Sequence, residues 1–220
     1  MPNADTRKLL EKATSEYQRQ LKVDEEASLY LQDRGITREA QDFFRLGVVR
    51  EPIDGHESYQ NRIVFPYETT SGITSLRFRV LGTPRGKQPK FLSLPGEVTR
   101  IYNVLDLAEN EEIFLCEGET DTIAVWQAGY PAVGIPGANN WAPSSKVLSR
   151  VFANHTVTVL TDNDDKETGA GHAGQNFARD VYRTLGGCKS ILMPKGHDVS
   201  SFIQEAGTDG FEKLIARSSS

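Results

Sequence analysis

The stretch "IFLCEGETDTIAVWQAGYPAVGIP", residues 113–136, changes its hydrophobic period twice. Ile113 to Cys116 form an unbroken apolar run, as a strand covered on both faces would. From about Thr120 to Ala128 the pattern is helical, with Ile123, Ala124, Trp126 and Ala128 available to pack and Gly129 as the stop. "AVGIP", 132–136, then returns to strand. The alternation continues downstream. "VTVLT" (157–161) is a third strand, and Phe177, Ala178, Val181, Tyr182 and Leu185 mark the buried stripe of a helix that stops at Gly186-Gly187. "ILM" (191–193) is a fourth strand, followed by a helix beginning near Asp198 with Phe202, Ile203 and Ala206 facing inward. Strands alternating with helices imply an α/β fold with a mostly parallel sheet flanked by helices.

Upstream the patterning differs. Residues 6 to about 50 read as a small helical layer: Leu10, Ala13, Tyr17 and Leu21 share one stripe, Ala27, Tyr30 and Leu31 another, and Gly35 stops a helix before Thr37 caps the next. From Asn61 to Leu94 short β-rich runs, "RIVFPY", "ITSLRFRVL" and "KFLSL", are divided by the turn signals "TTSG" and "LGTPRGKQP". Arg77 and Arg79 alternate with Leu76, Phe78 and Val80, so both arginines leave one face of a strand. The expected division is a helical and β-rich basic subdomain over 1–110 and an α/β domain over 111–220.

Composition narrows the function classes. The chain has 220 residues, 38% of them hydrophobic, and no apolar run of membrane-spanning length. The N-terminus "MPNADTRKLLEK" has no apolar core of a secretion signal, so a cytoplasmic location is expected. Two cysteines, Cys116 and Cys188, are too few for a disulfide framework or a four-cysteine zinc site. The net charge of −5 argues against indiscriminate coating of nucleic acid. Arg62, Arg77, Arg79, Arg85, Lys87, Lys90 and Arg100 nevertheless face only Glu68 and Glu97 between residues 62 and 100, which makes that segment locally cationic.

Open parallel sheets bind ligands at the carboxyl ends of their strands, and Glu117, Asp162, Asp164 and Asp198 all follow such ends. Carboxylates gathered at one edge raise each other's pKa unless a cation neutralises them, and a hard divalent ion such as Mg²⁺ suits an all-oxygen donor set. "DNDD" alone reads equally as a turn. An acid directly after "IFLC" has less of that option, because a buried charge needs a partner or a metal. Asp165, His172 and His197 read as solvated loop residues.

"IFLCEGETD" resembles the EGxxD strand end of TOPRIM domains, and "VLTDND" resembles their DxD strand at the matching relative position. "LMPKGHDVSSFI" is similar to the stretch of bacterial DnaG-type primases that carries a further acid. "EYQRQL", "YLQDRGITREAQDFFRLGVV", "NRIVFPYETTSGITSLRFRVL" and "PKFLSLPGEVTRIYNV" resemble, in order, the start of the primase polymerase domain, so the likeness runs from roughly residue 8 to 207. It implies a TOPRIM-like domain over 111–220 and synthesis of short RNA primers on single-stranded DNA, from ribonucleoside triphosphates, with Mg²⁺ or Mn²⁺. It further implies Glu117, Asp162 and Asp164 as catalytic acids, and Glu117, Asp121, Asp162, Asp164 and Asp198 as metal ligands. Arg62, Arg77, Arg79 and Lys90 become contacts to template or nucleotide phosphate, and a replicative helicase an implied partner.

The sequence departs from that family in three respects. "DKETGAGHAGQ" inserts residues where the family places a Gly-Arg pair soon after DxD, and Ser200 stands where a second acid often follows the first. The family's zinc ribbon and helicase-binding region have no counterpart in the pattern. Two other readings share the acid cluster: a TOPRIM nuclease that cuts a phosphodiester with water, and a non-catalytic module that only binds single-stranded nucleic acid.

Overall fold

The computed structural model describes residues 2–137, 140–163 and 173–218. The chain divides into two compact units, Met1–Val98 and Thr99–Ser220. Residues 99–110, grouped with the upstream subdomain by the pattern, hydrogen-bond into the second unit. Tyr102 and Gly134 exchange backbone bonds, and Asp106 Oδ2 accepts the Ala132 amide at 2.9 Å. Among the described residues no helix is long and apolar enough to cross a membrane.

The first unit begins with α1 (Ala4–Val23), α2 (Glu25–Gln32) and α3 (Arg38–Phe43). Each starts where a side chain takes up an otherwise orphaned amide: Asn3 Oδ1 accepts from Thr6, Asp24 Oδ1 from Ala27, and Thr37 Oγ1 from Ala40. The strands β1 (Gly47–Val48), β2 (Arg62–Thr69), β3 (Gly72–Val80) and β4 (Phe91–Ser93) form an antiparallel sheet in the order β1-β2-β3-β4. The edge strand β1 lies in the segment that reads as helical, because two residues are too few to show a period. Leu10, Ala13 and Tyr17 of α1 bury against Val64, Ile73, Leu76 and Phe78, and Arg45 ties α1 to β2 through Glu11 and Glu68.

The second unit adds α4 (Asp106–Glu109), β5 (Glu112–Cys116), α5 (Glu119–Gln127), β6 (Ala132–Gly134), α6 (Trp141–Val151), β7 (Thr156–Thr161), α7 (Ala173–Leu185), β8 (Lys189–Leu192) and α8 (Val199–Ser218). The sheet is parallel, in the order β6-β5-β7-β8. Alternation along β5 divides the core: Ile113 and Leu115 pack with Trp141, Leu148, Phe152, Phe177 and Val181, whereas Phe114 and Cys116 lie with Val125, Ala128, Val199 and Phe211. Helices α6 and α7 thus cover one face, α5 and α8 the other. The sequence pattern missed α6, whose first turn holds Pro143 and two serines. Proline is tolerated there because the first-turn amides lack intrahelical partners. Helix α8 breaks at Gly207, where φ is 68° and only glycine enters without strain.

Helix α1 rests directly on β1: a Cβ added at Gly47 would stand 2.6 Å from Tyr17 Cβ and 2.7 Å from the Tyr17 backbone carbon. A methyl there must separate helix from sheet. Gly47→Ala is therefore expected to destabilise the first unit by about 1–3 kcal/mol, measured by urea unfolding followed through far-ultraviolet circular dichroism.

Candidate active site

The carboxyl edge of the parallel sheet collects the acids. Glu117 follows the end of β5 and Asp162 the end of β7, which are hydrogen-bonded neighbours and so lie about 4.8 Å apart. Asp121 sits in the first turn of α5, only 7% exposed, and Asp198 heads α8. The Glu117 loop is pressed against β6, since a Cβ at Gly134 would lie 2.9 Å from the Gly118 carbonyl oxygen and 2.4 Å from Thr122 Oγ1. Thr122 Oγ1 in turn donates to that same carbonyl at 2.7 Å. Glycine at 134 is what lets the loop close.

Burial, then the charges of Asp162 and Asp198, push the Asp121 carboxyl well above the usual carboxylate range, against the amide and hydroxyl of Ser200. The Cys116 thiol, fully enclosed, is raised by burial and by the charges of Asp121, Asp162 and Glu117. Glu117 Oε1 and Asp162 Oδ1 are both shielded from solvent. Asp121 thus lies within the influence of Asp162 and Asp198, and Glu117 and Asp162 follow neighbouring strands. Asp164, Asp165 and His172, and with them most of the inserted loop, lie outside the described residues. Among the described residues no three His, Cys, Asp or Glu side chains are already drawn close enough to hold a metal ion. The donor chemistry nevertheless fits a divalent cation: the groups are oxygens only, enclosed, and mutually repelling until neutralised.

The Toprim-like family matches residues 114–203, the segment that carries all of these acids. The gene 57 protein of Mycobacterium phage D29 is 33% identical over 163 residues, covering 71% of this chain and 99% of that protein. The DNA primase of Pasteurella multocida is 26% identical over 251 residues, covering 95% of this chain and 42% of the primase. A solved DnaG primase catalytic domain bound to ssDNA superposes with a TM-score of 0.73 at 21% identity, over 98% of this chain and 83% of that one. The chain belongs to the same family as that phage gene 57 protein, carries a Toprim-like segment over 114–203 and shares the fold of DnaG primase catalytic cores. It spans about two-fifths of the length of the bacterial primase it matches. TOPRIM and primase families depend on divalent metals, in keeping with the donor set.

Two residues tie the acid edge together: Asn163, which sequence reasoning passed over, and Ser200, which it noted only as standing where a second acid often occurs. Asn163 anchors the end of β7 to the turn before α8: its Nδ2 donates to the Met193 carbonyl at 2.9 Å, its amide to His197 at 3.0 Å, and its carbonyl accepts from Gly196 at 2.8 Å. An asparagine between two aspartates has no sequence signal that separates anchor from turn. Ser200 is the other, with its amide 3.1 Å from Asp121 Oδ1 and its hydroxyl 3.0 Å from Asp198 Oδ1. His197 is half-buried beside Ser201 Oγ and Glu205, consistent with a loop residue.

The basic residues separate into two groups. Arg77 and Arg79 share one face of β3, with guanidinium carbons 4.2 and 5.4 Å from the centroid of the Phe91 ring, and Lys90 Nζ stands 5.7 Å from the same centroid. Arg79 is 6% exposed, and its Nε has no hydrogen-bond partner among the described residues. Arg62 differs: at 3% exposure it donates through Nη1 to the Pro89 and Lys90 carbonyls, and burial lowers its pKa. Its guanidinium works inside the fold, holding the backbone that carries Lys90 and Phe91.

Asp121 gives the site a pH signature. A carboxyl whose folded pKa is raised binds more protons folded than unfolded, so stability is greatest below its unfolded pKa of about 4 and falls as pH rises through the folded value. In EDTA the second unit is expected to melt at a lower temperature at pH 7.5 than at pH 5.5, and Asp121→Asn to remove most of that difference. Differential scanning calorimetry at the two pH values checks it.

Proposed function

We propose that this protein is a primase-type nucleotidyltransferase that joins ribonucleotides into short primers on a single-stranded DNA template. The observation that supports the reading is that Glu117 and Asp162 follow neighbouring strands of the parallel sheet while the Ser200 amide and hydroxyl join Asp121 to Asp198 at the head of α8. Likeness to bacterial DNA primases along most of the chain supports the reaction class, and a solved primase catalytic domain of the same fold is bound to ssDNA.

Glu117, Asp162 and Asp198, with Asp121 behind them and Asp164 in the adjoining segment, would hold Mg²⁺ or Mn²⁺. A divalent ion at such a site lowers the pKa of a bound 3′-hydroxyl and neutralises charge building on the departing pyrophosphate. Glu117 stands directly after the strand, where its shielded Oε1 can take the proton from the attacking hydroxyl. Asp162, on the neighbouring strand, keeps the negative field needed to retain a cation. Asp121 is enclosed, and burial with the charges of Asp162 and Asp198 raises its pKa, a shift that a bound cation would oppose. Arg77 and Lys90 offer cationic groups to phosphate oxygens, and Arg79, buried beside the same ring, adds positive charge beneath them. Such contacts set position along a strand without reading its sequence, and the Phe91 ring they surround gives a flat apolar surface on which a base can stack.

Incubation with single-stranded DNA, labelled ribonucleoside triphosphates and Mg²⁺ or Mn²⁺ tests the proposal. Oligoribonucleotides are expected from the parent protein, and Asp162→Asn and Glu117→Gln should each lower the yield by about a hundredfold or more while circular dichroism stays unchanged. Cleavage of the DNA without added nucleotides would support the nuclease reading instead. Binding with neither activity would leave only a nucleic-acid-binding module.

A further inference from the structure

The carboxyls of Asp121 and Asp198 come from different helices, α5 and α8, and repel each other, so something must set the spacing between them. Ser200 lies between the two. Its amide donates to Asp121 Oδ1 at 3.1 Å and its hydroxyl to Asp198 Oδ1 at 3.0 Å. We propose that Ser200 is a positioning residue that fastens Asp121 to Asp198 and so fixes the separation at which the two carboxylates meet a divalent ion. This rests on the metal-dependent reading above and extends it to a residue that is not itself a ligand.

The start of α8 shows why a capping role does not account for Ser200. Asp198 is the N-cap, its Oδ1 accepting from the Ser201 amide at 2.7 Å, while Ser201 Oγ takes the Asp198 amide at 3.1 Å. That reciprocal pair closes the helix end by itself. The Ser200 amide, one of the helix's orphan donors, is instead aimed across to α5. An N-terminal helix amide is a well-placed donor to a buried carboxylate, because the helix dipole favours negative charge there. The backbone half of the link is rigid and survives any substitution except proline. The hydroxyl half is specific to serine or threonine.

Mn²⁺ affinity measured by electron paramagnetic resonance on the full chain separates the two halves. Ser200→Ala is expected to keep the parent unfolding temperature, since the cap remains, and to bind Mn²⁺ about tenfold more weakly, in the range seen when groups that orient metal ligands are removed. Ser200→Thr should restore the affinity to within about twofold of the parent. Parent-like affinity in Ser200→Ala overturns the proposal, as does a loss of affinity that threonine does not restore. If the parent binds no Mn²⁺, the metal-dependent reading fails on its own account, and hydrogen exchange of the Ser200 amide then decides. Exchange at least about tenfold faster in Asp121→Ala, which removes the acceptor, than in the parent supports the link, and equal exchange overturns it.

Discussion

Negative charge at the end of a parallel sheet is the constraint around which the second unit is built. Placing Glu117 and Asp162 on adjacent strand ends, with Asp121 and Asp198 at the heads of helices, costs free energy in any cation-free state, because Asp121 is withdrawn from water and opposed by the charges of Asp162 and Asp198. The rest of the unit makes that arrangement sustainable. Hydrophobic layers on both faces of the sheet hold the strands in register. Gly134 admits the Glu117 loop, Asn163 locks the neighbouring strand end to the next turn, and Ser200 stands between the two helix-borne acids. A fold that tolerates so much concentrated charge without a cation is poised to gain stability when one binds.

The first unit handles charge in the opposite sense. Its cations are organised by an antiparallel strand and an aromatic ring: Arg77 and Arg79 project from one face of β3, and both approach Phe91. Guanidinium groups held against a ring keep part of their hydration shell removed, which strengthens later contact with phosphate while leaving the planar face able to stack. Arg62 contributes from inside, through two backbone carbonyls, so its burial and the display of Lys90 are parts of one arrangement.

Much of this was legible in the sequence, for identifiable reasons. Strands covered on both faces write themselves as unbroken apolar runs, so β5 and β7 were visible, and with them the acids at their ends. Period-2 alternation placed Arg77 and Arg79 on a common face. Helix α6 was hidden because Pro143 and the serines beside it carry a loop-like local signal that burial of Trp141, Leu148 and Phe152 overrides. Whether an arginine faces solvent or core also depends on tertiary surroundings that composition does not encode, which is why Arg62 read like its neighbours. Asn163 escaped notice, and Ser200 read only as a missing acid, because their hydrogen bonds join segments far apart in the chain, where local pattern carries no information.

The central claim is that the acids after β5 and β7 and at the heads of α5 and α8 form one cation-binding edge. Anomalous diffraction from crystals grown with Mn²⁺ tests it most directly. The account predicts an anomalous peak within coordination distance of carboxylate oxygens from at least two of Glu117, Asp162 and Asp198. Manganese bound only elsewhere on the protein, or Glu117 turned away from Asp162 with no ion joining them, would contradict it.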